Sequence, residues 1–185
     1  MQKFDLIVIG SGPAGQRGAI QGAKLGKHVA LIERRDGIGG ASINTGTIPS
    51  KTMREAVVHL SGYQYQPIYG MNYRVKDKIT IEDFIFRVQQ VIRAEANVMQ
   101  SQLSRNGIEV FHGVASLIDS THVKLTSVRG VAEFEADKIL IAVGTRPAES
   151  TRVPINGRTN NYLPTKARHS GENLRINLGM VIRRR

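Results

Sequence analysis

Cysteine and tryptophan are absent from the chain, aromatic residues make up only 5% of it, and acidic residues are few, 15 against 26 Lys and Arg in 185 residues. Without a thiol there is no disulfide framework, no thiolate metal site and no cysteine nucleophile. The five histidines (His28, His59, His112, His122 and His169) stand singly, none with a second ligand type at metal spacing, so no metal is expected. No apolar stretch approaches the roughly 20 residues that a membrane-spanning helix requires. The Met-Gln-Lys start also lacks a signal-peptide layout. A cytosolic protein with no membrane partner is expected.

What is present is the composition of a folding chain: 41% apolar, 22% charged and 19 Gly, enough for one ordinary domain with its own core. The positive charge is unevenly spread. Residues 1–150 hold 18 Lys and Arg against 14 Asp and Glu, whereas residues 151–185 hold 8 against 1. A basic tail can bind nucleic acid, but this one has a single aromatic residue for base stacking and no recognition motif. It reads as a solvated end, and nucleic acid is not the expected partner. No internal repeat is visible.

Phe4 to Ile9 is a β-rich run that leads into Gly10-Ser11-Gly12-Pro13-Ala14-Gly15 and then into a small-residue helical segment ending at Gly26. Val29 to Ile32 resumes the strand pattern and closes on Glu33. Strand, glycine-rich turn, helix and strand in this order make a βαβ unit with a right-handed crossover. Thr80 and Asp83 form a capping-box pattern. Behind it, Ile81, Ile85, Val88, Ile92, Ala96, Met99 and Leu103 recur at steps of three and four, predicting a long helix with one buried face that ends at Asn106-Gly107. Ile108 to Phe111, Val114 to Ile118 and Val123 to Thr126 read as strands. Asp137 to Val143 is a continuous apolar run of the kind found in a strand covered on both faces.

Gly10, Gly12 and Gly15 form a G-x-G-x-x-G directly after a strand and at the opening of a helix, the context that makes the motif informative. The first glycine permits the tight turn, the second lets the backbone approach a pyrophosphate, and the third lets helix and strand pack closely. Pro13 and Ala14 start the helix, whose N-terminal N–H groups and dipole favour phosphate. Glu33, 18 residues beyond Gly15, stands where a carboxylate can accept the hydroxyls of an adenosine ribose. A ligand-free turn with Glu33 as a surface charge is the plainer alternative. The glycines alone do not separate FAD from NAD(P).

The segment Gly39-Gly40-Ala41-Ser42-Ile43-Asn44-Thr45-Gly46-Thr47-Ile48-Pro49-Ser50-Lys51 resembles the flavoprotein disulfide reductase family, whose members carry two redox cysteines beside the flavin in this motif. Those cysteines fall on Ser42 and Thr47. A hydroxyl is not ionised near neutral pH and forms no disulfide, so thiol-disulfide exchange is excluded and no catalytic residue is assigned. Within the family the sequence is most similar to the soluble transhydrogenase branch, which carries G-T-I-P-S-K, as Gly46 to Lys51 do here. Further matching positions are Arg54 to Val57, Tyr73 to Asp77 and Gly144 to Pro147, and the resemblance runs from Phe4 to about Thr159.

The resemblance implies an incomplete Rossmann-like α/β FAD-binding domain over residues 1–159: a parallel sheet, helices on both faces, and a small antiparallel hairpin region near 114–136. It implies FAD as cofactor, nicotinamide nucleotides as partners, and hydride transfer between NADPH and NAD through the flavin. Residues Glu33 to Ser42, with Arg34, Gly39 and Gly40, would wrap the adenosine and pyrophosphate, and Lys51 would reach toward the isoalloxazine. Gly113, Ala142 and Gly144 would pass close to the cofactor. The family's NAD(P) domain, its returning flavin-domain segment and its homodimer interface have no counterpart here. Residues 160–185 are therefore expected to be a non-native or disordered basic tail on a truncated, inactive product, with an exposed sheet edge and exposed apolar helix surface.

Overall fold

The computed structural model describes residues 1–62, 65–71, 78 and 80–145. The matching positions Tyr73 to Asp77 and Arg146-Pro147, and the basic tail 160–185, lie outside the described residues. The elements are β1 (Gln2–Ile9), α1 (Pro13–Lys24), β2 (Val29–Glu33), α2 (Gly40–Asn44), α3 (Thr47–Leu60), α4 (Gln66–Tyr69), α5 (Ile81–Arg105), β3 (Glu109–His112), β4 (Val114–Leu117), β5 (His122–Ser127) and β6 (Gly130–Ile141).

They build one mixed six-stranded sheet in the order β3-β2-β1-β6-β5-β4. β1 runs parallel to β2, with Val8 opposite Leu31, and parallel to β6, with Val8 opposite Leu140. β3 joins β2 in parallel, while β4, β5 and the first half of β6 form an antiparallel meander. The βαβ unit and the hairpin region near 114–136 thus stand where the sequence places them. β3 and β4 occupy opposite ends of the strand order, yet only Gly113 separates them in the chain. The sheet must therefore curl until its two ends meet. Gly113 donates its N–H to the Glu33 carbonyl at 2.9 Å, and a Cβ there would stand 2.6 Å from the Thr126 carbonyl oxygen.

Every residue of β2 is buried, as a central parallel strand requires. Its alternation divides the core. Val29 and Leu31 join Val8, Ala19, Met99 and Leu103 beneath α1 and α5. Ala30 and Ile32 join Phe4, Ile7, Val123, Leu125 and Phe134 on the other face. Among the described residues that second face is covered by the curled meander, not by the second helical layer the sequence leads one to expect. The rings of Phe4, Phe111 and Phe134 close it, Phe4 edge-on to both others.

Two sequence expectations change. β6 begins at Gly130 instead of Asp137, because Phe134 and Ala136 bury their side chains while Glu133 and Glu135, alternating with them, do not. Its apolar end meets a core on each face, Leu140 on the helical side and Ile139 on the meander side, but is only half-buried there, and Val143 is exposed. The long helix starts and stops as predicted, Asp83 accepting the Thr80 N–H at 2.9 Å and Gly107 turning the chain at φ +68°. Its apolar face, however, is buried only toward the C-terminus. Leu103 is inaccessible and Met99 nearly so, whereas Ile81 and Ile85 are exposed. At 1.5 Å rise per residue a helix of this length spans about 37 Å, and its only buried residues, Met99 and Leu103, lie in the last two turns.

Candidate dinucleotide-binding site

The carboxyl ends of β1, β2 and β6 converge on the glycine turn. Gly10 donates to the Ile32 carbonyl and Ala142 donates to the Ile9 carbonyl, both at 2.8 Å, so the turn is stitched to its neighbours on both sides. Gly10 adopts φ +103°, and a Cβ on it would come within 2.5 Å of the Ala142 carbonyl oxygen. A Cβ on Gly15 would drive into the Gly10 carbonyl oxygen, and one on Gly40 would stand 2.8 Å from the Gly12 Cα. These are backbone collisions, so no rotamer change relieves them. Close approach therefore requires glycine at Gly10 and Gly15 of the motif and at Gly40, whereas a Cβ on Gly12 would have Gly40 Cα, 4.0 Å away, as its nearest neighbour, so packing within the chain does not demand glycine there.

α1 begins at Gly12 with Pro13 in its first turn, no side-chain cap and no acidic residue in that turn. Pro13 and Ala14 are exposed there. Such an end offers N–H groups and a positive dipole to an anion. α2 starts beside it, at Gly40, through the contact with Gly12 just described. Gly39 is held at φ +107°, and Asn44 Nδ2 donates to the carbonyls of Ile38 and Gly40 at 3.2 and 2.9 Å, which fixes the second turn.

Glu33 is not a surface charge. It is buried at the end of β2, where its Oε2 accepts the Ser11 N–H at 2.9 Å and the Ser11 hydroxyl at 2.6 Å, and its Oε1 accepts the Arg35 N–H at 3.0 Å. Burial by itself pushes the carboxyl pKa up, but the hydrogen bonds from Ser11 and from the Arg35 and Arg34 backbone outweigh it and hold the group below its ordinary value. Ser11 is fully buried, and its oxygen also accepts the Gly39 N–H at 2.9 Å. The motif pattern does not single out Ser11; its signal in the sequence is a hydroxyl between the first two glycines combined with an acid at the next strand end.

The structure therefore gathers Gly10, Gly12, Gly15, Glu33, Gly39, Gly40 and Ala142 into one cradle, with Pro13, Ala14 and the exposed Arg34 at its rim. Ser42 hangs from it by donating to the Gly39 carbonyl at 3.0 Å. Gly113 is tied to it through the Glu33 carbonyl. Thr47 and Lys51 lie exposed on α3, and Gly144 is exposed beyond β6; none of the three shares a described hydrogen bond with the cradle. His112 is an exposed strand residue whose Nδ1 lies 3.0 Å from the Arg35 carbonyl, and His59 is exposed on α3.

A parallel βαβ sheet with a glycine cradle at its carboxyl edge and an acid closing the second strand defines a Rossmann-like dinucleotide-binding domain. The profile of the pyridine nucleotide-disulphide oxidoreductase family matches residues 4–180, and the chain belongs to that family. It is 47% identical over 158 residues to the soluble pyridine nucleotide transhydrogenase of Mycobacterium tuberculosis, covering 84% of this chain and 34% of that protein. The enzyme of the same name from Yersinia pestis is 38% identical over 154 residues, 83% of this chain and 33% of the relative. Among solved structures, the Cu(II) complex of the HOCl-induced flavoprotein disulfide reductase RclA from Escherichia coli superposes with a TM-score of 0.67 at 29% identity, covering 86% of this chain and 32% of that one. The chain spans about a third of the length of the relatives it matches. Among the described residues no helix is long and apolar enough to cross a membrane.

Proposed function

We propose that this chain supplies the FAD-binding segment of an oxidoreductase that moves hydride between NADPH and NAD. The observation that carries this reading is the cradle: three backbone contacts that leave no room for a Cβ, an uncapped helix start, and a buried, ionised acid at the adjoining strand end. These fit a dinucleotide with its pyrophosphate over Gly12 to Gly15 and its ribose toward Glu33. Arg34 flanks the adenosine end, and Gly39, Gly40 and Ser42 line the second turn. A bound flavin accepts a hydride from one nicotinamide and returns it to another with no thiol required. Ser42 and Thr47 in place of the family cysteines are therefore compatible with hydride transfer and incompatible with disulfide reduction. Lys51 is assigned to the isoalloxazine end, where a cation favours the anionic reduced ring. Gly113, Ala142 and Gly144 are assigned to the cofactor's passage along the sheet edge.

Purified protein should be yellow, with a flavin band that survives gel filtration. Glu33→Ala should weaken FAD binding by roughly 1.5 to 3 kcal/mol, the worth of hydrogen bonds to a charged group. Unchanged affinity would remove Glu33 from the site. Holding the two reactants in position accounts for roughly 7 to 11 kcal/mol of a barrier of this kind. The sequence holds a single G-x-G-x-x-G, so these 185 residues assayed alone should show FAD binding with negligible NADPH-to-NAD turnover. Residues 1–159 are proposed to carry the flavin-binding fold, with 160–185 outside it. A basic nucleic-acid-binding module is the competing reading, resting on the charge of residues 151–185. A colourless protein retained on DNA in a strongly salt-dependent way would favour it.

A further inference from the structure

We infer that Ser11, which no ligand can touch, is the positioning residue of the nucleotide site: its hydroxyl aims the Glu33 carboxylate and locks it to the Gly39–Gly40 turn, so that the ribose and phosphate ends are set together. The inference rests on the nucleotide reading above and deepens it. The Ser11 side chain is wholly inaccessible, and its oxygen sits in a directed chain. Gly39 N–H donates to Ser11 Oγ at 2.9 Å, and Ser11 Oγ donates to Glu33 Oε2 at 2.6 Å. Because the Gly39 N–H can only donate and the carboxylate can only accept, the hydroxyl proton has one place to go. Ser11 N–H lies on the same carboxylate oxygen at 2.9 Å.

The consequence for the carboxylate follows from its lone pairs. Oε2 is filled by Ser11 twice, so a ribose hydroxyl has to be met by Oε1, which also accepts from the Arg35 N–H, with the Arg34 backbone a further donor to the carboxylate. Ser11 decides which oxygen that is. The charged groups around Glu33 are few. Arg34, Arg35 and Asp36 follow it in the chain, and His112 faces it across the β2–β3 register with its ring on the Arg35 carbonyl. The two turns packed against it, residues 10–16 and 37–44, contain no charged side chain. Ionisation of Glu33 thus depends on neutral donors, of which Ser11 supplies two, against a burial that opposes it.

The test uses the whole 185-residue chain with FAD and ADP as probes, measured by fluorescence quenching and calorimetry between pH 5 and 8. Ser11→Ala should weaken both probes about 10-fold at neutral pH, the lower end for a hydrogen bond to a charged group. The deficit should grow as pH falls, because the freed carboxylate protonates at higher pH. Carbon-13 titration of the Glu33 carboxyl in unliganded protein should show its pKa rising in the variant. On a Glu33→Gln background Ser11→Ala should cost little further. Ser11→Cys, which fills the same space with a weak donor, should behave like Ser11→Ala and covers the case in which the alanine variant fails to fold. A deficit equal at every pH, an unmoved Glu33 titration, or full additivity with Glu33→Gln would overturn the inference. Wild-type protein that binds neither FAD nor ADP would instead overturn the nucleotide reading, while the unliganded titration still decides what Ser11 does to Glu33.

Discussion

The cradle end of the sheet and the helical arm made by α3, α4 and the first half of α5 are built from similar materials and reach opposite outcomes. In the cradle, backbones touch closely enough to forbid a single carbon atom, and its one buried acid accepts three hydrogen bonds. In the arm, Phe86 is 66% exposed, Ile68 73% and Ile81 51%, and α4 has no buried residue. One helix, α5, belongs to both regions. An amphipathic period shows that a face is meant to be covered, but whether a cover stands there depends on what lies opposite. Met99 and Leu103 pack with α1, β2 and Ile108, whereas Ile81 and Ile85, on the same stripe, stay exposed.

The sharpest way to break that comparison is to cut equal volumes from the two ends of α5. Leu103→Ala should cost about 2 to 5 kcal/mol in urea unfolding, because it opens a cavity under the sheet. Ile81→Ala should stay within about 0.5 kcal/mol, the range for a surface change. Equal losses would show that the exposed half is covered in solution and would erase the distinction. Next in size, Gly15→Ala forces a methyl into the Gly10 carbonyl and should cost about 1 to 3 kcal/mol of stability, as overpacking does. It should also abolish FAD binding. Gly70→Ala serves as its counterpart in the arm, where φ is +95° but no atom lies within 4 Å of an added Cβ, so the loss should be one of backbone strain alone, about 1 kcal/mol.

Acid should separate the regions more gently. Glu33 has a folded-state pKa below its ordinary value of 4.5, so its contribution is complete above that value and fades as pH falls through the lower folded one. Glu33→Gln should flatten the cradle's share of the acid-unfolding profile in that window. The smallest effect belongs to Asp119 in the β4–β5 turn. Hydrogen bonding from the Thr121 N–H, helped by His122, draws its carboxyl down from 3.8 to about 2. That group is fully exposed, so Asp119→Asn should change turn-local amide exchange below pH 4 and leave nucleotide affinity untouched.

Much of this was readable one-dimensionally. The βαβ unit, the glycine motif, the start and stop of α5 and the antiparallel region near 114–136 all depend on residues within a turn or two of each other. Local periodicity and capping report such neighbours directly. The start of β6 was missed because Glu133 and Glu135 interrupt the apolar run, although in a strand with one wet face they are the outward half of an alternation. The composition of the β6 end states a need for burial and not how complete the cover is: Ile139 and Leu140 each meet a core, yet both stay half-buried.

Sequence alone therefore determined the kind of site: glycines where backbones must meet, an acid one strand away, and hydroxyls where thiol chemistry would need sulfur. Only the tertiary structure decided how the site is held. Ser11 lies 22 residues from Glu33 and 28 from Gly39, and the hydroxyl that links them bonds across a space created by β1 lying beside β2. Likewise only the curl of the sheet, which brings β4 round to β3 through Gly113, put strands where a second layer of helices was expected. Contacts of that range are set by strand order and twist, and neither is written in any short stretch of residues.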